Sequence, residues 1–356
     1  MENKLHGFNP NIAIPPGETL EEFLESFGMT NVELSKRIGL TQKTISEIVK
    51  GKAPITAETS LKLENVFGTP ASFWNNLEAN YQEAKARLQE EKRIDKEIEI
   101  AKLIPYSEIS ELGLIKPTKI GQEKVVNLRS FFGVASLNYI PETLAAAFRA
   151  KQKDNASTYA LAAWLRIGEI SANKIKTELY DEKKLKSLIP VFRELTSQQL
   201  EYFSQKLIDL CSSCGIALAL VQHLPKTFAH GAVKWLTPNK ALIQLSIRGA
   251  YSDIFWFTFF HEIGHILLHG KKSTFIEIDN NDELELQADS FAVDTLIPSS
   301  KYKAFISGSF ESSESIIKFA KSVGIDPCIV VGRLQHDKLI KHYEYNELRT
   351  KLCWVK

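Results

Sequence analysis

The chain has 356 residues, 44% of them hydrophobic and 24% charged, with a formal net charge of +1. That composition fits a globular protein long enough for two or three domains, and a near-neutral total excludes attraction to nucleic acid by overall charge. No apolar run is long enough to span a bilayer, because His261, Glu262 and His265 interrupt the best candidate. The opening "MENKLHGFNP" lacks a secretory profile, and four cysteines are too few for a disulfide scaffold, so a cytoplasmic protein without a membrane association is expected.

Residues 1–81 are punctuated into five short helices. "GETLEEFLESFG" places Leu20, Phe23, Leu24 and Phe27 on one face and stops at Gly28. "TNVE" at 30–33 has the form of a capping box, with Thr30 capping and Glu33 reaching back, and Met29 and Leu34 stand in staple positions. This second helix ends at Gly39. Thr41 caps a third that stops at Gly51, a fourth lies between Thr56 and Gly68, and "TP" at 69–70 opens a fifth.

The stretch "TNVELSKRIGLTQKTISEIVKG" has helix–turn–helix form. Ile45, Ile48 and Val49 face inward, which leaves Gln42, Lys43, Ser46, Glu47 and Lys50 facing out. Gln42 is the residue type that reads adenine edges, and Lys43 suits guanine or phosphate. Residues 1–80 are net acidic. Between 36 and 52, however, Lys36, Arg37, Lys43, Lys50 and Lys52 stand against Glu47 alone, the local basic face that phosphate contact requires. A small bundle used for protein contact is the alternative.

From 82 to 104, opposite charges alternate at helical spacing and read as a solvated linker helix. Residues 105–210 look mainly helical and hold no catalytic constellation. The pair "CSSC" at 211–214 follows an amphipathic helix and has no partner pair at zinc spacing, so Cys211 and Cys214 are expected in the core. Residues 211–356 form the last domain, with strands "IALALVQ" at 216–222 and "ALIQLS" at 241–246. The second of these could hold an extended substrate by edge pairing.

The segment "FTFFHEIGHILLHG" carries the chemistry. In "HEIGH", His261 and His265 are four residues apart, so on a helix both imidazoles share a face and can grip one ion. Glu262 lies beside them, where it can take a proton from water at the ion. The apolar flanks bury this helix. A third ligand is expected from "NDELELQADSFAVDTLIP", in which Glu285 and Asp289 share a stripe with Ala292 and Leu296. Zinc for Glu285 and an imidazole N–H for Asp289 would satisfy both; Glu283 is the runner-up ligand, and a cap formed by Asp282 and Glu285 is the structural alternative. His269 is expected as a helix C-terminal residue favoured by the dipole. Tyr251, Arg248, His230, Arg333 and His336 are unranked candidates for an oxyanion donor.

"HEIGH" followed by "ELQAD" at 285–289 resembles the glutamate-zincin pattern. The longer run from "ALIQLSIRGAYSDIF" to "FAVDTLIP" resembles the ImmA/IrrE family of metallopeptidase-like regulators. That resemblance implies zinc on His261, His265 and Glu285, with Glu262 as general base and Asp289 as a support for the ligands. Residues 15–81 are similar to the XRE-type domain of HigA-family antitoxins, which implies a homodimer on a palindromic double-stranded DNA operator. Together these give the expected fold class, α+β and mostly helical: an N-terminal five-helix bundle, a helical middle and a zincin-like C-terminal domain with a small sheet. The expected function is a DNA-binding regulator whose zinc peptidase cleaves a regulatory protein or the chain itself. The alternative is an antitoxin or repressor with a toxin partner and a sensory or structural metal domain.

Overall fold

The computed structural model describes residues 12–143, 155–227, 229–247, 251–270, 274–276, 283–308 and 312–352. Arg248, Asp282 and Cys353 lie outside them. The chain divides into two compact units, 1–96 and 97–356.

In the first unit, α1 (Pro16–Ser26) opens on prolines, and α2 (Asn31–Ile38), α3 (Gln42–Val49) and α4 (Ala57–Phe67) each begin at a threonine cap. Thr30, Thr41 and Thr56 each accept from the amide three residues on, at 3.2, 3.1 and 3.2 Å. Gly39 and Gly68 close α2 and α4 in the left-handed region, at φ 66° and 73°, which a residue with a side chain rarely adopts. Leu20, Leu24, Leu34, Ile38, Ile45, Ile48, Leu63 and Trp74 form the core.

Three details differ from expectation. Phe27 follows the last turn of α1 and is 54% exposed, stacking beside Phe23. The Glu33 carboxylate pairs with Arg37 at 2.5 Å, a turn onward, instead of reaching back to Thr30. The fifth helix and the charged stretch are one helix, α5 (Ala71–Ala101), whose first amide donates to the Glu64 carboxylate.

Expecting a uniformly solvated charged stretch also missed Glu97, which is 3% exposed. It accepts from Arg129 (2.9 and 2.7 Å), from the Ser136 hydroxyl (2.6 Å) and from the Leu137 amide (2.9 Å). Burial pushes this carboxyl upward, but these donors outweigh it and hold the group below the usual carboxylate range.

The second unit continues through α6 (Tyr106–Glu111), α7 (Gly121–Phe132), α8 (Ile140–Thr143), α9 (Asn155–Lys174), α10 (Glu182–Leu195) and α11 (Leu200–Ser213). Strands β1 (Ile216–Leu220), β2 (Gly231–Thr237), β3 (Lys240–Leu245) and β4 (Thr274–Ile276) then make one sheet in the order β1-β3-β2-β4. β3 runs parallel to β1 and antiparallel to β2, and β2 is antiparallel to β4. The expected "ALIQLS" strand is therefore interior, with both sides already bonded, and cannot pair with a substrate at an edge. β4 is one of the two edges.

One face of the sheet receives α9: Gln244 crosses to the Trp164 carbonyl (2.7 Å) over Gly168, where any Cβ would strike the Gln244 amide. Alternation sends Ile243 and Leu245 to the opposite face, where they join the core around α12 (Ser252–Leu268). α13 (Glu283–Leu296), α14 (Ser299–Ile306), α15 (Ser313–Val323) and α16 (Pro327–His336) complete the unit. Cys211 and Cys214 are fully buried, and burial pushes the Cys214 thiol up to about 11 and the Cys211 thiol well above its ordinary value, so both pack as apolar groups. Among the described residues no helix is long and apolar enough to cross a membrane.

Removing one partner from the Glu97 cluster leaves a buried guanidinium uncompensated. Glu97→Ala is expected to cost about 3–5 kcal/mol, and an unchanged urea midpoint would show that the cluster contributes nothing.

Candidate metal centre and helix–turn–helix face

α12 is buried nearly all round, with Phe255, Trp256, Phe259, Phe260 and Ile263 at 2% exposure or less. Its first turn is locked by Asp253, which accepts two bonds from Arg349 (2.9 and 2.7 Å) in the space left by Gly332. His261 (2%), Glu262 (0%) and His265 (1%) are as buried as the aromatics around them. Polar groups at that depth are costly unless they are matched.

The match comes from α13. A Cβ placed on Gly264 would lie 3.1 Å from the Ala288 Cα and 3.2 Å from the Phe291 ring, so a glycine facing an alanine lets the two helices approach closely. That approach brings Glu285 and Asp289, one turn apart, onto the histidines. The Glu285 carboxylate lies 3.1 Å from His261 Nε2 and 3.5 Å from His265 Nε2. Asp289 Oδ1 lies 2.8 Å from His261 Nδ1. The two Nε2 atoms are 2.9 Å apart. Burial pushes the Glu285 carboxyl upward, but the two imidazoles beside it bring the net value down to about 2, an ionised acceptor. Burial likewise lowers His265, which favours the neutral ring.

Among the described residues, ligand atoms of His261, His265 and Glu285 all lie within 4.8 Å of one another, close enough for the three to hold one metal ion. Two imidazoles and a carboxylate suit zinc, and with its Nδ1 turned to Asp289 at 2.8 Å, His261 would offer Nε2 to the ion. The donor set therefore fits the ion. Glu283 is exposed and off the stripe, as its position two residues before Glu285 dictates.

Glu262 lies against β2: a Cβ on Gly231 would meet its carboxylate at 2.3 Å and Thr258 at 2.5 Å. His230 precedes Gly231, and its carbonyl accepts from the Ser246 amide at 2.8 Å. Tyr251 stacks under the Arg349 guanidinium (3.8 Å), and Arg333 and His336 are engaged with Asp337 at 2.8 and 3.2 Å. His269 stands at the C-cap of α12, as expected. Its ring, however, touches His265, with 2.9 Å between the Nδ1 atoms. The four-residue spacing from His265 is the signal that announces this contact.

In the first unit, α2 and α3 are joined by the turn at Gly39–Thr41. Arg37, Gln42, Lys43, Lys50 and Lys52 are exposed, while Ser46 and Glu47 are half-buried. Lys43 lies 3.8 Å from Glu47, a loose surface pair.

Residues 20–74 match a family model described as helix-turn-helix, and residues 252–334 match a peptidase model described as the IrrE N-terminal-like domain. Virulence-associated protein I of Dichelobacter nodosus is 40% identical over 76 residues, covering 21% of this chain and 70% of that protein. The chain belongs to the helix–turn–helix family. An uncharacterized HTH-type transcriptional regulator of Escherichia coli, YddM, is 30% identical over 80 residues, covering 22% of this helix–turn–helix protein and 81% of the relative. Among solved structures, an addiction module antidote protein of a HigA family from Coxiella burnetii shares 36% identity over 24% of this chain and 94% of its own, with a TM-score of 0.22. PA4674 from Pseudomonas aeruginosa, solved with its operator DNA, shares 34% over 21% and 82%, with a TM-score of 0.21. The helix–turn–helix protein thus couples an XRE-type N-terminal domain to an IrrE-like peptidase domain.

Gly231→Ala is expected to displace the Glu262 carboxylate and to cost about 1–3 kcal/mol through overpacking. Thermal or urea unfolding indistinguishable from wild type would mean that the carboxylate does not rest on β2.

Proposed function

We propose that this protein is a cytoplasmic DNA-binding transcriptional regulator whose C-terminal domain is a zinc-dependent endopeptidase of the glutamate-zincin kind. The observation that carries the reading is the convergence of His261, His265 and Glu285, with Glu262 buried beside them. Zinc, when bound by these three residues, supplies a Lewis acid for the scissile carbonyl and eases the ionisation of water. Glu262 takes the proton from the attacking water and returns it to the leaving amine. Asp289 holds the Nδ1 proton of His261 and fixes the orientation of that ring.

The substrate class is a regulatory protein. For cleavage of the chain itself, the charged stretch is a poor target, since 82–101 is continuous helix and Glu97 is buried. The decisive comparison is wild type against Glu262→Gln, both loaded with zinc. Wild type is expected to cleave its protein target, and the variant, at unchanged zinc content, to lose about two to four orders of magnitude in rate. Equal release of a regulated promoter by both proteins would make the domain a sensor instead of an enzyme.

The helix–turn–helix face is proposed to dock as a homodimer on a palindromic operator, with Gln42 on α3 reading a base edge and Lys43, Lys50, Lys52 and Arg37 facing phosphates. The exposure of these side chains supports that reading. Ser46 and Glu47, half-buried on the same helix, line the face. Lys50→Ala is expected to weaken operator binding uniformly across sequences and to reduce the salt slope by about 1, whereas Gln42→Ala costs about 1–3 kcal/mol at one base position. Binding titrations at several salt concentrations check both, and an unchanged slope for Lys50→Ala would remove that lysine from the interface.

A further inference from the structure

Each of the two histidines facing Glu285 has a second ring nitrogen, and both second nitrogens are occupied. His261 Nδ1 meets Asp289 at 2.8 Å, as the sequence led one to expect. His265 Nδ1 meets His269 Nδ1 at 2.9 Å. A contact between two ring nitrogens needs one donor and one acceptor. The Nε2 of His265 points at Glu285 (3.5 Å) and at His261 Nε2 (2.9 Å), the side on which an ion would sit, so that nitrogen must be bare to ligate. The single proton of a neutral His265 then lies on Nδ1 and donates to His269. Because His269 uses Nδ1 as the acceptor, its own proton lies on Nε2.

The placement of His269 follows from the end of the helix. Its amide still donates to the His265 carbonyl (3.2 Å), while its backbone has already left the helix at φ −115° and ψ 156°. It is thus tied to the turn that carries His265. The contact also excludes His269 as a fourth ligand. The two nitrogens of His265 diverge across a rigid ring, and His269 lies off the one that faces away from Glu285.

Resting on the metal reading above, we infer that His269 is a positioning residue: its Nδ1 accepts the Nδ1 proton of His265 and fixes the tautomer and ring orientation with which His265 ligates. Asp289 and His269 therefore serve the two histidines in parallel, one with a charged acceptor and one with a neutral acceptor. A partner of this kind typically controls metal affinity by about 10- to 100-fold.

The test is chelator competition for zinc with the full chain, comparing wild type, His269→Ala, His269→Gln and, as a control for the loss of an imidazole, the exposed His223→Ala. His269→Ala is expected to weaken zinc binding by about 10- to 100-fold. His269→Gln, whose amide oxygen can accept the same proton, recovers most of the loss, and His223→Ala binds as wild type. Unfolding curves for the two His269 variants establish that each is folded. Imidazole 15N spectra of the zinc-loaded protein give a second readout. His265 appears bound through Nε2, with its Nδ1 proton protected from solvent exchange in wild type and His269→Gln and rapidly exchanging in His269→Ala. Wild-type zinc affinity in His269→Ala overturns the inference, as does an Nε2-protonated His265 in the wild-type spectrum. Should the wild type bind no zinc, the metal reading falls and this inference with it, whereas unaltered zinc affinity in His269→Ala overturns the inference alone.

Discussion

Everything in the C-terminal site depends on how closely α13 can lie against α12. Helix separation is set by the side chains at the crossing, and here these are Gly264 and Ala288, with the ring of Phe291 beside them. A larger residue at 264 would lift the acidic helix away, and Glu285 and Asp289 would lose His261 together. The HEIGH helix alone offers two imidazoles in an apolar wall. The glycine within it brings the carboxylates that make those imidazoles tolerable to bury.

The rest of the unit holds these two helices in place. Arg349 grips Asp253 at the start of α12. Arg193 on α10 donates to the carbonyl of Leu296 at the end of α13 (3.2 Å) and to that of Val323 at the end of α15 (2.7 Å), a cation at two negative helix ends. The sheet contributes a second glycine, Gly231, whose bare Cα gives room to the Glu262 carboxylate.

Local signals made the first unit legible. Thr30, Thr41, Thr56, Gly39 and Gly68 each act within one turn of chain, and the structure places the helix boundaries by them. The convergence of His261, His265 and Glu285 was also legible, since i,i+4 spacing on a helix is a local fact and only the pairing of two helices had to be supplied. What escaped depends on distant partners. Glu97 reads as one more charge in an alternating stretch until Arg129, 32 residues away, is seen beside it. β4 has three residues, and β2, although seven residues long, opens on a glycine, so pairing rather than composition makes them strands. The order of the sheet, which closes both sides of β3, has no signature along the chain. His269 stands four residues after His265, a spacing that a plain helix terminus accounts for equally well until the contact between the rings is in view.

The most direct measurement of the central claim is the zinc content of purified wild type beside that of Gly264→Val, with unfolding curves to establish that both are folded. The close approach of the two helices predicts stoichiometric zinc in the wild type and little or none in the variant. A metal-free wild type, or a folded Gly264→Val that retains the full complement, would contradict it.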